Sequence, residues 1–211
     1  MTRIEKLRSY LEKYYADHTV KPFFHGWHHI AFVTDKATAL AHELGIENPE
    51  MITAAALTHD LNYLVRPYSK VYEGKELRQE ILAKNGYTSD EIDHIEWIVT
   101  TEDLRARDEH TNLEAQILSD ADTLYKCLPT AAPLFARGYL EQSGIGVKQM
   151  ATSIVTYQLP LIEKGIYFYS KPYRERYLEW AQHNIKTWQM ILESLEDKDV
   201  CKVLEAAGIK R

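Results

Sequence analysis

Apolar residues recur along this chain at helical rather than strand spacing. Ile4, Leu7, Leu11 and Tyr14 form one stripe, and Ile30, Val33, Ala37, Leu40 and Leu44 form a second that ends at Gly45, a residue suited to a helix C-terminal cap. A third stripe opens at Asn48-Pro49, a capping side chain followed by proline at the first helical position. It runs through Ile52, Ala55, Ala56, His59 and Tyr63 and stops before Pro67. Val65 to Gly74 reads as a loop, and Glu76 to Lys84 as a helix ending near Asn85-Gly86. Thr88-Ser-Asp-Glu91 is a capping box that opens a helix through Ile92, Ile95 and Val99.

Further helices are predicted from Leu113 to Leu128, Pro129 to Leu140, Val147 to Ile162 and Pro172 to Leu195. Ser143-Gly-Ile-Gly146 makes a break, and the tail after Glu196 is weakly patterned. No convincing β-alternation, internal repeat or low-complexity linker interrupts this pattern. The expected fold class is all-α: one domain over residues 1–211, with the stretch after about residue 140 as the candidate for a distinct lobe.

Bulk properties narrow the function classes. A chain of 211 residues buries enough surface to fold without staples. A net charge of −6 with no dense basic block argues against a nucleic-acid polymer as partner. Cys127 and Cys201 stand far apart with no CxxC pattern, which fits a reducing compartment. The N-terminus is charged and amphipathic, unlike a secretory signal. No window approaches 18 uninterrupted apolar residues. A cytoplasmic protein without a membrane partner is expected, and homo-oligomerisation is compatible with the composition.

Candidate chemistry appears where ionisable residues occupy core positions. His59 replaces an apolar residue in the third stripe, and Asp60 follows it. Asp122 comes four residues after Leu118, with Ala121 and Tyr125 beside it, and His29 stands four before Val33. Buried ionisable groups are costly unless paired, and a divalent cation would pair these. Two imidazoles and two carboxylates make a mixed nitrogen–oxygen donor set. Helix phase separates the neighbours: position 122 points near 118 and 125 while 120 points away, and position 29 aligns with Val33 while 28 aligns with Phe32 and Asp35. Asp120 is therefore expected at the helix edge and His28 outside the ligand set.

These segments together resemble the HD-domain superfamily of metal-dependent phosphohydrolases. The resemblance rests on His25-Gly-Trp-His-His29-Ile-x-x-Val33, on Ala54-Ala-Ala-Leu-Thr-His59-Asp60-Leu61 and on Ser119-Asp-Ala-Asp122-Thr-Leu124, and it spans about residues 25 to 128. It implies an HD-like helical core over that range, a helical extension over about 129–196, and one divalent metal (Mn, Mg, Co, Ni, Fe or Zn) on His29, His59, Asp60 and Asp122. His25 and Asp120 match positions that support the ligands from outside.

Two departures stand out. Leu61-Asn62-Tyr63-Leu64 follows the His-Asp pair where many members carry Gly-Lys or a nearby Glu, which leaves the general acid or base unassigned. Between the pair and Asp122 only His94 and His110 offer further imidazoles, so a single metal is expected. The implied activity is hydrolysis of a small phosphoester, a phosphorylated metabolite or nucleotide, with Asp60 or Asp122 accepting a proton while ligating. Lys126, four residues after Asp122, is the expected cation for the developing charge. Arg66, Lys70 and Arg78, with Lys75, are the candidate phosphate contacts. Tyr68, Tyr72 and Tyr125 are the aromatics available to stack on a base, and Gly165-Ile-Tyr-Phe-Tyr169 reads as core or subunit interface. The alternative is a non-catalytic regulatory or ligand-binding domain that carries the metal.

Overall fold

The structure, a computed structural model, describes residues 1–19, 22–66, 69–103, 107, 112–130 and 135–209, with the backbone alone at 142. Over those residues it is all-α. The elements are α1 (Arg3–Asp17), α2 (Trp27–Glu43), α3 (Glu50–Thr58), α4 (Asn62–Val65), a 3-10 turn (Val71–Gly74), α5 (Lys75–Lys84), α6 (Ser89–Thr101), α7 (Leu113–Lys126), α8 (Ala136–Ser143), α9 (Val147–Glu163), α10 (Lys171–Ser194) and α11 (Lys198–Ala206). The chain divides into two compact units, Met1–Tyr125 and Lys126–Arg211. Among the described residues no helix is long and apolar enough to cross a membrane.

In the first unit α3 is central and packs against α1, α2 and α6. Its Ala54-Ala55-Ala56 run is fully buried, and small side chains at successive positions let neighbouring helices approach from several directions. Capping boxes start α1 at Thr2/Glu5 and α6 at Thr88/Glu91. The buried face of α1 is Leu7, Leu11 and Tyr15. Tyr14, expected in the stripe, instead stacks beside Tyr10 with ring centroids 6.0 Å apart.

The third stripe does not form one helix. α3 ends at Thr58, a tight turn carries His59 to Leu61, and α4 resumes at Asn62. His59 Nδ1 donates to the Ala56 carbonyl at 2.8 Å, and the Leu61 amide reaches only three residues back, to Thr58. Side-chain capture of a backbone acceptor competes with the helical ladder, and here it coincides with the break. α4 is then pinned by Ser69, whose hydroxyl donates to the Asn62 carbonyl while the Asn62 amide donates back to the Ser69 carbonyl. Gly74 packs directly on this turn. A Cβ there would lie 2.7 Å from the Asn62 amide nitrogen.

In the second unit α9 packs on α10 around Met150, Ala151 and Trp188. Tyr167 and Phe168 are buried, and the Tyr167 hydroxyl donates to Gln158 Oε1 at 2.9 Å, so the 165–169 run is core. The weakly patterned tail forms α11. Asp197 caps it, and Cys201 is its buried contact. Both cysteines are free and buried. The helix expected from Pro129 overlaps residues 131–134, which lie outside the described residues, and α8 is described from Ala136.

Candidate metal centre

Three segments of the first unit bring the expected donors together. α2 begins at Trp27, two residues before His29, after Gly26, whose tight setting leaves no room for a side chain: a Cβ would sit 2.8 Å from the Pro22 carbonyl. His29 projects from the buried face of α2 while His28 is exposed. The turn after α3 supplies His59 and Asp60, and α7 supplies Asp122.

His29, His59 and Asp122 each offer one buried donor atom, all within 4.8 Å of one another. His29 Nε2 lies 3.1 Å from His59 Nε2 and 3.5 Å from Asp122 Oδ1. Asp60 Oδ2 stands 3.0 Å from His29 Nε2 and 3.3 Å from His59 Nε2. It accepts no properly directed hydrogen bond from any described residue, although it is buried. These separations suit a common cation. A first-row ion at roughly 2.1 Å from each donor places neighbouring donors about 3.0 Å apart in an octahedron and about 3.4 Å apart in a tetrahedron.

The protonation chemistry fits as well. The Ala56 carbonyl can only accept, so His59 Nδ1 carries a proton and the neutral ring turns its Nε2 lone pair inward. Without a cation, burial pushes the His59 pKa down, but the Asp60 carboxylate outweighs it, with Asp122 and Glu102 adding, and the pKa is raised to about 9. Burial likewise works against the Asp60 charge, yet His59 and then His25 hold its carboxyl well below the usual range. The metal-free cluster thus keeps a proton on His59 where a cation would otherwise balance the carboxylates. His28 shifts the other way: although the residue is exposed, part of its ring is packed near Tyr125 and loses water there, which lowers its pKa, and His29 lowers it further.

An aromatic wall encloses His29. The Tyr125 ring meets it edge-on with centroids 4.5 Å apart, and Phe24 lies at 6.0 Å. His25 stacks on Tyr63 at 3.7 Å. Tyr125 is therefore buried packing rather than a platform for a base. Tyr72 is exposed, and Tyr68 lies outside the described residues.

Other expected residues are placed differently. Arg78 is fully buried and held bidentately by Glu96 of α6 at 2.7 and 2.8 Å, with a further bond to the Val71 carbonyl. Its guanidinium therefore ties α5 to α6 and is not presented to a substrate phosphate. Arg66 is exposed but paired with Glu73 at 2.6 Å, and the Lys70 amide donates to the same carboxylate. Lys126 closes α7, partly buried, as the first residue of the second unit. His94 pairs with Glu114 at the surface, 2.6 Å apart, and does not join the cluster. His110 lies outside the described residues.

Asp120 does not sit at a helix edge. It is fully buried and ion-paired with Arg107 at 3.1 Å. α7 is apolar or neutralised almost all round from Ala115 to Tyr125, so Asp120 and Asp122 both enter the interior, on different sides. Arg107, Glu102 and Tyr15 escaped the sequence reading. The burial of Asp120 is the signal that a counter-charge was needed. Tyr15 is close enough to the cluster that its pKa is raised first by burial and then by Asp60.

In comparisons with protein-family models, curated proteins and solved structures, nothing matches the chain.

Proposed function

We propose that the protein is a metal-dependent phosphohydrolase of the HD-domain type, acting on small phosphoesters, nucleotides among them. The observation that carries this reading is the convergence of His29, His59 and Asp122, with the buried Asp60 Oδ2 standing 3.0 Å and 3.3 Å from the two imidazoles. A divalent cation bound there lowers the pKa of water and polarises a phosphoryl oxygen. The protein's own residues do the rest. His59 is held in the correct tautomer by Ala56, Tyr125 and Phe24 exclude water from one side of His29, and Asp60 and Asp122 supply the negative charge that retains the ion. Asp60 or Asp122 would accept the water's proton while ligating, and Glu102, the C-cap of α6, adds to the negative charge felt by His59.

A second reading, a metal-bearing regulatory domain without turnover, is favoured by the placement of the cations. Arg78 is committed to Glu96 and Arg66 to Glu73, so both guanidiniums are already paired with carboxylates of the protein. One experiment separates the two. The purified chain, analysed for metal content and then screened with Mn²⁺, Mg²⁺, Co²⁺ or Ni²⁺ against a panel of phosphorylated metabolites, should bind about one ion per chain and release phosphate, and Asp122→Asn should lose both. Metal without turnover on any substrate selects the regulatory reading, and no metal after reconstitution removes both.

A further inference from the structure

Two of the α7 carboxylates, Asp120 and Asp122, stand two positions apart and are both buried, yet only Asp122 joins the cluster. The Arg107 side chain, itself without solvent exposure, donates from Nη1 to Asp120 Oδ1 at 3.1 Å, and from Nη2 to Ser119 Oγ at 2.9 Å and Thr123 Oγ1 at 3.0 Å. All three acceptors are buried. Ser119 and Thr123 stand one above the other on the helix, with Asp120 beside them, so a single planar fork grips one side of α7 at three points.

At about 100° per residue, Asp122 lies roughly 100° around the axis from the middle of that grip. Rotation of α7 is therefore the motion that would take Asp122 away from His29. A turn of about 20° displaces an atom roughly 6 Å from the axis by about 2 Å, enough to lose the 3.5 Å approach of Asp122 Oδ1 to His29 Nε2.

We propose that Arg107 is a positioning residue that fixes the rotation of α7, holding Asp120 out of the cluster and Asp122 in it. The consequence for metal binding rests on the reading of the cluster as a metal centre, but the effect on Asp122 does not. Lysine at 107 would keep the charge opposite Asp120 and reach fewer of the three acceptors. An apolar pair in place of Arg107 and Asp120 would remove the ion pair without leaving an unpaired buried charge.

The test uses the full chain as Arg107→Lys and as Arg107→Leu/Asp120→Leu. In metal-free protein, the imidazole ¹⁵N signals of His29 and His59 report whether Asp122 still faces them. In parallel, Co²⁺ affinity is measured by competition with a chelating dye. We expect shifted His29 signals and affinity lower by 10–100-fold in both variants, the range seen when groups that orient ligands are removed. We expect this in the double variant even where its melting temperature matches wild type, which a purely structural role for Arg107 would not produce. Folded variants with wild-type imidazole signals overturn the proposal. If the wild-type protein itself takes up no Co²⁺, the metal-centre reading falls, while the metal-free imidazole signals still decide the role of Arg107.

Discussion

Replacing Asp60 by asparagine removes one charge while keeping the shape of the side chain, so its effect can be worked from the electrostatics of the cluster. In the metal-free protein His59 is raised from 6.5 to about 9. At 1.36 kcal/mol per pH unit that is about 3 kcal/mol of favourable interaction, shared by Asp60, Asp122 and Glu102. Asp60 is the largest contributor, so Asp60→Asn should destabilise the metal-free protein by up to about 3 kcal/mol near pH 6. For a chain of this size that lowers the melting temperature by at most roughly 6–12 °C.

The metal-bound comparison is sharper. Wild type at a hundredfold excess of metal over its dissociation constant gains about 2.7 kcal/mol, or roughly 5–11 °C. An asparagine amide is a poor substitute for the carboxylate, and at the same metal concentration the gain should vanish. Differential scanning calorimetry of both proteins, with chelator and with Mn²⁺, measures both quantities. A variant that melts like wild type in chelator and shows the same rise with Mn²⁺ would refute the assignment of Asp60 to the cluster.

Two further outcomes follow from the same geometry. His29→Gln should eliminate stoichiometric metal while exposed His28→Gln leaves it nearly intact, by metal analysis of proteins whose folding is checked by circular dichroism; the reverse order would mean that α2 presents the wrong face. Stability and metal affinity should also respond to pH in opposite directions. The folded-state pKa of His59 is raised, so its stabilising contribution is complete below about 6.5 and lost as pH rises through about 9, whereas the depressed Asp60 contributes above the ordinary carboxylate range and loses that as the medium becomes acidic. Metal binding must displace the His59 proton, so its apparent affinity should rise about tenfold per pH unit up to about 9 and then level off. Melting curves in chelator and competition titrations across pH 6–10 check both, and a flat profile in either would count against the His59–Asp60 pairing.

What was legible in the sequence, and what was not, divides along physical lines. His29, His59 and Asp122 announce themselves because each interrupts an apolar helical stripe, and only a few kinds of partner tolerate a charge there. The capping box at Thr88 is equally local and equally visible. The break at His59 is hidden, because Leu61 and Leu64 continue the apolar pattern straight through it and the competing bond to Ala56 leaves no mark in residue spacing. Arg78 and Arg107 are hidden for another reason. A pattern read from hydropathy places arginine outside, and only the positions of Glu96 and Asp120 in three dimensions reveal that each guanidinium is interior. α11 escaped because its stripe of Val200, Cys201 and Leu204 is short and flanked by charge.

The interrupted helix between α3 and α4 has a consequence for how the centre behaves under change. The interruption lies in the hydrogen-bond ladder rather than in a change of chain direction, since His59 and Leu61 both keep right-handed helical dihedral angles. The dipeptide therefore presents its two polar groups as one unit, carried on a single backbone link with His59 Nε2 and Asp60 Oδ2 3.3 Å apart. Donors joined in that way are gained or lost together. The free energies of altering positions 59 and 60 are therefore coupled rather than additive, and the pair acts as one thermodynamic element with two atoms.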